Sequence, residues 1–187
     1  TQDGLVRFDG ATFTTLREAD GVLFPHLAAI CEQPGSDNTF WLGTAGAGLV
    51  RFCPDDVQRC RAFTTADGLS GDEVHALCFD AQGRLWVATE QGLSLCEVTS
   101  TDAQAQSPHG FAARTVMGDN VRALAHFAGE IWGGTAAGEV VVLDARTAAE
   151  TKRIKDLNKG AIKCLMRDAS MGTWIGTERG GIVRIDD

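Results

Sequence analysis

The sequence predicts an all-β protein built from β-propeller blades, and two observations carry that prediction. The motif Trp-x-(Gly/Ala)-Thr occurs four times, and its tryptophans are separated by 45, 46 and 42 residues. After each Thr of the motif, a Gly precedes a strand in which apolar residues alternate. A repeat period in the forties, with about four strands per repeat, is typical of propeller blades.

The clearest repeat spans residues 66–97, ADGLSGDEVHALCFDAQGRLWVATEQGLSLCE. It contains three β-patterned runs, VHALCFD, LWVATE and LSLCE, which are separated by short turns that contain Gly. Turns of this length connect only antiparallel neighbours, so each repeat is predicted to be an antiparallel meander. A fourth, outer strand is expected to complete each blade.

We predict that residues 1–187 form a single propeller or part of a larger one, with blade-like repeats at about 1–17, 18–65, 66–117, 118–158 and 159–187. The first and last repeats are partial, and the count is 17 strands, or four four-stranded blades and one spare strand. The surplus arises because GLVRFDG and GGIVRIDD, at opposite ends of the chain, both read as third strands. The chain is therefore expected to belong to a longer array of blades or to share strands in a homodimer. The polar stretch 97–110 is predicted to be an inserted surface loop.

Composition limits the classes of partner. A chain of 187 residues with 44% hydrophobic residues can bury a sizeable core. The net charge of −8 argues against nucleic acid or an anionic membrane surface as the main partner. Because no apolar run is long enough to cross a bilayer, we expect no membrane insertion by this segment. A small molecule or a protein is the expected partner.

Several residues of the second repeat resemble the two-component regulator propeller repeat, namely Asp67-Gly68-Leu69, Val74, Asp80, Gly83, Leu85-Trp86 and Thr89. The GLVRF strand that follows Thr44 also matches that pattern. The resemblance implies a propeller from the sensory region of a hybrid histidine kinase in bacterial signal transduction. It also implies an extracytoplasmic or periplasmic location. The leading functional prediction is therefore a non-catalytic domain that senses or recognises a ligand.

Candidate site residues lie on the predicted innermost strands, HLAAICE, VHALCFD, VRALAHF and IKCLMRD. Aligning these runs places Ala28, His75, Arg122 and Lys163 in register. Three of the four positions offer nitrogen donors, which could form a weakly basic ring that binds a carboxylate or a phosphate. The alternative is that these side chains only contact water in the channel.

The four tryptophans are interpreted as structural residues that pack one blade against another, rather than as a binding platform. They are Trp41, Trp86, Trp132 and Trp174.

Cys53 and Cys60 flank the predicted hairpin PDDVQR, and a disulfide between them is possible in an oxidising compartment. No Cys or His spacing predicts a metal site, and no cofactor is expected. The sequence contains no recognisable catalytic motif, so we assign no catalytic residue. Two alternatives to a sensor remain open. One is a protein-interaction scaffold that uses edge strands or the 97–110 loop, and the other is a propeller lyase or hydrolase.

Overall fold

The computed structural model of the protein describes residues 4–16, 26–36, 38–54, 60–98, 110–155, 157, 160–168 and 172–186. These residues contain 17 strands in five antiparallel sheets, which confirms the predicted all-β propeller class and strand count. One 3-10 turn, Thr65–Asp67, joins two of the sheets.

The strands form the five sheets in chain order. The N-terminal pair comprises β1 (Leu5–Phe8) and β2 (Phe13–Leu16). Blade 1 comprises β3 (Leu27–Glu32), β4 (Phe40–Thr44), β5 (Leu49–Phe52) and β6 (Arg61–Phe63). Blade 2 comprises β7 (Val74–Phe79), β8 (Leu85–Thr89), β9 (Gly92–Val98) and β10 (Phe111–Met117). Blade 3 comprises β11 (Val121–Phe127), β12 (Glu130–Thr135), β13 (Val140–Asp144) and β14 (Glu150–Ile154). Blade 4 comprises three strands, β15 (Ile162–Arg167), β16 (Thr173–Thr177) and β17 (Gly181–Ile185).

Consecutive strands pair within every blade, so each blade is a meander. The first strand of each blade contacts the first strand of the next, through the pairs β3 with β7, β7 with β11 and β11 with β15. These four strands are therefore the innermost ones, as the sequence predicted. Four-stranded sheets with alternating faces can bury both faces only by stacking against neighbouring sheets.

Each interior tryptophan lies on the second strand of one blade and packs against the following blade. Trp41 is fully buried with Val74, Leu85 and Val87 of blade 2. Its ring centroid lies 5.9 Å from that of Phe111 on the outer strand of that blade. Trp86 likewise packs in a buried cluster with residues of blade 3, and Trp132 packs in one with residues of blade 4. A buried tryptophan removes about 150–250 Å² of surface from water, so this contact is a main source of cohesion between blades.

The indole nitrogen of every motif tryptophan donates a hydrogen bond to a side-chain oxygen at the first hairpin of its own blade. The acceptors are Gln33, Asp80, Glu130 and Asp168, at distances of 3.0, 3.0, 3.0 and 2.8 Å. A buried indole N–H without an acceptor would destabilise the fold, so each acceptor fixes the orientation of its ring.

The remaining residues of the motif have separate roles. A Cβ atom on Gly43 would lie 2.6 Å from Cγ1 of Val74, which begins the next blade, so only glycine fits there without a shift. A Cβ atom on Gly134 would likewise clash with Ile162, which begins blade 4. The Thr hydroxyl closes the second hairpin, as when Thr44 Oγ1 donates to the Gly48 carbonyl at 2.8 Å.

The two ends of this array are open. The third strands β5 and β13 are largely buried, whereas their counterparts β1 and β17 are mostly exposed. Within the described residues, no ladder joins the N-terminal pair to blade 4. Trp174 has no following blade there and is 37% exposed, while Trp41, Trp86 and Trp132 are 0%, 0% and 2% exposed.

The disulfide that the sequence allowed is not formed, since both Cys53 and Cys60 remain thiols. The β5–β6 ladder pairs Arg51 with Arg61, so one more step places Cys60 opposite Phe52. Cys60 packs in the cluster of Phe52, whereas Cys53 Sγ lies 3.7 Å from Thr39 Oγ1. Adjacent strand positions point to opposite faces, which separates the two sulfurs.

The predicted surface loop 97–110 falls mostly outside the described residues. Its first two residues belong to β9, which continues to Val98.

Asp80 holds together the first hairpin of blade 2. Its carboxylate accepts hydrogen bonds from Gln82 N, Arg84 N, Arg84 Nε and Trp86 Nε1, all between 2.9 and 3.0 Å. Burial alone would raise the pKa of Asp80, but the hydrogen bonds from Trp86 and Arg84 outweigh it and lower that pKa. Arg84 also donates to the carbonyl oxygen of Ala145, which ties blade 2 to blade 3.

We therefore expect Asp80→Ala to reduce the free energy of unfolding by about 2–4 kcal/mol, because it leaves buried donors unpaired. Urea denaturation at neutral pH measures this loss. The matched control is Asp168→Ala in blade 4, which should cost about 1 kcal/mol because water can reach Trp174. Since the folded pKa of Asp80 is depressed, its contribution should fade as pH falls below about 4. Equal losses in the two variants would contradict this account.

Candidate functional site

All four innermost strands carry a β-bulge at the same position. The register of β3 with β4 shifts between Leu27 and Ala29, and the equivalent shift occurs at the start of β7, β11 and β15. The residues at these shifts, here called the bulge ring, are Ala28, His75, Arg122 and Lys163. Bulges redirect a side chain out of the regular ladder and occur often beside functional sites.

The bulge ring thus contains the positions that the sequence alignment placed in register. The alignment identified the equivalent positions on the four strands. It did not predict the bulge, because no residue type marks a bulge in a sequence. Binding of a ligand at these residues remains a prediction.

The members of the bulge ring influence one another electrostatically. Burial lowers the pKa of His75, and the positive charges of Arg122 and Lys163 lower it further. Glu73 and Glu90 act in the opposite direction without cancelling the effect. His75 is therefore neutral at pH 7. Its Nε2 atom is buried and has no hydrogen-bond partner within the described part of the chain.

Carboxylates surround the bulge ring, a feature that sequence reasoning missed. Glu73 Oε1 lies 3.9 Å from His75 Nδ1, and Glu178 Oε1 lies 3.6 Å from Lys163 Nζ. Glu90 Oε2 accepts a hydrogen bond from the Glu73 backbone at 3.0 Å. A signal was present in the sequence, because Glu90 and Glu178 both directly follow the motif Thr.

Arg122 has the guanidinium group of this cluster. Its Nε donates to Asn120 Oδ1 at 3.0 Å, which orients the guanidinium. Lys163 is more exposed and shares its charge with Glu178. The site therefore has mixed charge rather than a uniformly basic character. It offers one oriented guanidinium, a neutral imidazole and nearby carboxylates.

The described residues contain no group of three or more His, Cys, Asp or Glu side chains arranged to hold a metal ion. Burial raises the pKa of Cys78 to about 12, so this thiol on an innermost strand stays protonated and is a poor nucleophile.

Comparison with known proteins places one of these blades in a family. Residues 68–91, which include β7, β8 and the motif at Trp86, match the family described as two component regulator propeller. The chain contains a two-component regulator propeller repeat. This confirms the resemblance stated from the sequence. The matched repeat includes His75 of the bulge ring and the Asp80–Trp86 hydrogen bond.

Relatives and solved structures extend the likeness beyond this propeller repeat. A histidine kinase of Formosa agariphila is 26% identical over 72 residues, which are 37% of this chain and 5% of that protein. The extracellular domain of the hybrid two component system BT4673 from B. thetaiotaomicron matches with a TM-score of 0.73 and 16% identity. That match covers 100% of this chain and 24% of the other. The WD40 propeller domain of Doa1 matches with a TM-score of 0.64 and 16% identity, over 84% of this chain and 49% of the other.

These structural matches show a propeller fold. The chain spans only a small part of the length of the curated kinase and about a quarter of the extracellular domain. Within the described residues, no helix is long and apolar enough to cross a membrane.

The electrostatic coupling predicts how His75 titrates. Its pKa should lie below the ordinary 6.5, and Arg122→Ala should raise it because a neighbouring positive charge is removed. Lys163→Ala should raise it less, since Lys163 has the smaller influence. NMR titration of the imidazole signals, assigned with His75→Ala, measures these values.

Lys152→Ala on the exposed outer strand β14 is the control and should leave the His75 pKa unchanged. A His75 pKa that does not respond to Arg122→Ala would show that the two residues do not share a site.

Proposed function

We propose that this chain is part of a non-catalytic recognition propeller of a two-component signalling protein, and that its ligand binds at the bulge ring. The observation that carries the proposal is that the same bulge recurs on four neighbouring strands and presents His, Arg or Lys on three of them. A structural bulge needs no particular side chain, so the shared cationic or donor character favours a binding role.

The surroundings favour a small molecule with a carboxylate or phosphate group. Such an anion can bind the oriented guanidinium of Arg122 in a bidentate manner, which gives both affinity and geometric selectivity. The buried Nε2 of neutral His75 provides a further polar contact. The carboxylates Glu73 and Glu90 disfavour a highly charged anion and favour a ligand that also carries donors, such as hydroxyl or ammonium groups.

The family match supports a signalling context, since the matching family is that of two-component regulators. Two of the similar structures are extracellular domains of such systems, from B. thetaiotaomicron. An extracytoplasmic location follows for this chain as part of the same proposal. No feature of the described cluster indicates catalysis. The described cluster contains no activated nucleophile. The His75 imidazole has Glu73 near its Nδ1 atom, and its Nε2 atom forms no hydrogen bond with a serine or a cysteine among the described residues.

A thermal-shift screen tests this function directly. Carboxylate and phosphate metabolites that bind the native state should raise the Tm of the wild-type chain by mass action. For any compound that does so, Arg122→Ala should weaken binding by about tenfold or more, because a hydrogen bond to a charged group is lost. Isothermal titration calorimetry gives the affinities.

The matched control is Lys152→Ala, which removes a positive charge from the exposed outer strand and should bind the compound as wild type does. Equal affinity in the Arg122→Ala variant would exclude the bulge ring as the site. Consumption of a bound compound would instead support the lyase or hydrolase alternative.

A further inference from the structure

A network of ion pairs lies on the outer strand of blade 3. Its centre is Arg153 on β14, which contacts the carboxylates of Asp119, Glu139 and Glu150. Each partner belongs to a different part of the chain. Asp119 lies in the loop that joins blades 2 and 3, Glu139 lies directly before β13, and Glu150 begins β14. One side chain therefore connects the outer strand, the second hairpin of its blade and the loop that enters the blade.

Paired hydrogen bonds hold the Arg153 guanidinium in one orientation. Its Nη1 and Nη2 atoms donate to the two carboxylate oxygens of Asp119 at 3.3 and 3.1 Å. Its Nε and Nη2 atoms donate to the two oxygens of Glu150 at 2.9 and 2.8 Å. Nη1 also donates to Glu139 Oε2 at 2.9 Å. Such paired contacts fix the geometry of both partners, and the ammonium group of a lysine cannot reproduce them.

The network supplies position more than stability. The side chains of Asp119 and Glu150 are 40% and 41% exposed, and that of Arg153 is 21% exposed. Ion pairs that water can reach add little to stability, because solvent screens the charges and ordering the side chains costs entropy. What the network does provide is a fixed place for the Asp119 carboxylate.

Asp119 lies in the shortest connection between two sheets, residues 118–120, here called the Asp119 loop. Residues 64–73 make the equivalent connection before β7, and local hydrogen bonds hold them. Thr64 caps a 3-10 turn, and the hydroxyl of Ser70 bonds that of Thr89. The Asp119 loop is too short for such a turn and lacks the DGL sequence. Its acidic side chain is anchored by Arg153 instead.

The Asp119 loop leads directly into the bulge ring. Its last residue, Asn120, accepts the hydrogen bond from Arg122 Nε at 3.0 Å. Asp119 is the residue before Asn120, so fixing its carboxylate restricts the backbone that aims the Asn120 side chain. The orientation of the Arg122 guanidinium depends on that side chain. A continuous series of contacts thus runs from Arg153 on the outer strand to Arg122 on the innermost strand.

We propose that Arg153 is a positioning residue for the bulge ring, and that it holds Arg122 in place through Asp119 and Asn120. The inference rests on the proposed function, because it concerns how the anion-binding group of that site is held. Bidentate recognition of an anion requires an aligned guanidinium, and alignment before binding lowers the entropy that binding costs. Loss of the Arg153 contacts should therefore weaken anion binding without removing any group from the site.

The pKa of His75 reports the position of Arg122 in the absence of a ligand, because the positive charge of Arg122 lowers that pKa. The variant Arg153→Lys keeps the charge and removes the paired hydrogen bonds. A loosened Arg122 should raise the pKa of His75, by about a third or more of the rise that Arg122→Ala causes. NMR titration of the imidazole measures both. In the Arg122→Ala background, Arg153→Lys should cause no further rise, which a purely structural role would not predict.

Asp119→Ala tests the same series of contacts with the opposite electrostatic sign. Removing a carboxylate lowers the pKa of a histidine through space, whereas a loosened Arg122 raises it, and we expect a rise. Lys152→Ala, on the same strand as Arg153, is the matched control and should leave the His75 pKa unchanged. Circular dichroism verifies that the variants fold. An unchanged pKa in Arg153→Lys, a fall in Asp119→Ala, or a rise that persists without Arg122 would each overturn the positioning role.

Binding of methanesulfonate, an anion that keeps a single charge near neutral pH, separates this inference from the proposed function. Its affinity, followed by amide chemical shifts, should fall by about tenfold in Arg122→Ala and by about threefold in Arg153→Lys. A fall in Arg122→Ala without one in Arg153→Lys would overturn the positioning role alone. Equal affinity in wild type and Arg122→Ala would refute the anion site, and the His75 titration would still decide whether Arg153 positions Arg122.

Discussion

The contact between the motif tryptophan of one blade and the first face of the next is the interaction on which the rest of the structure depends. It uses three features together: an indole held by an acceptor at the first hairpin, a small residue two positions later, and a branched residue such as Val74 or Ile162 that begins the next blade. Each interior blade forms one such contact with the blade before it and one with the blade after it. The stability of a blade therefore depends on both of its neighbours. Blades at the ends have only one partner, and their exposed strands follow from that.

This packing also positions the bulge ring. The contact brings the first strands of neighbouring blades together, so a bulge at the same place on each puts His75, Arg122 and Lys163 on adjacent strands. Carboxylates at the following turn then adjust the charge of the cluster. A repeat fold can therefore build a binding site by changing single residues at an invariant backbone position, without altering the packing that holds the blades. This separation between scaffold and site explains why propeller architecture does not by itself define a ligand.

Much of the fold could be predicted from the sequence because the repeat is periodic and its turns are short. The recurring Trp-x-(Gly/Ala)-Thr motif established the strand order, and strand counting established the surplus at the ends. The hydrogen bonds from the indoles to Gln33, Asp80, Glu130 and Asp168 were not predicted. The acceptors precede their tryptophans by 8, 6, 2 and 6 residues, so only Asp80 and Asp168 share a residue type and a spacing. The sequence allowed a Cys53–Cys60 disulfide but could not decide it, because spacing across a hairpin does not show which face each residue takes. The bulges and the carboxylates around His75 could be located only from the strand register in the structure.

Amide hydrogen exchange tests the central claim most directly, because it reports the stability of each strand separately. The measurement is made on the wild-type chain at low concentration. If contacts between blades hold the structure, β9 and β13 should exchange most slowly, and β1 and β17 should exchange fastest even though they have the same place in their repeats. Equal protection of β17 and β9 would show that each sheet is stable by itself, and would contradict the account.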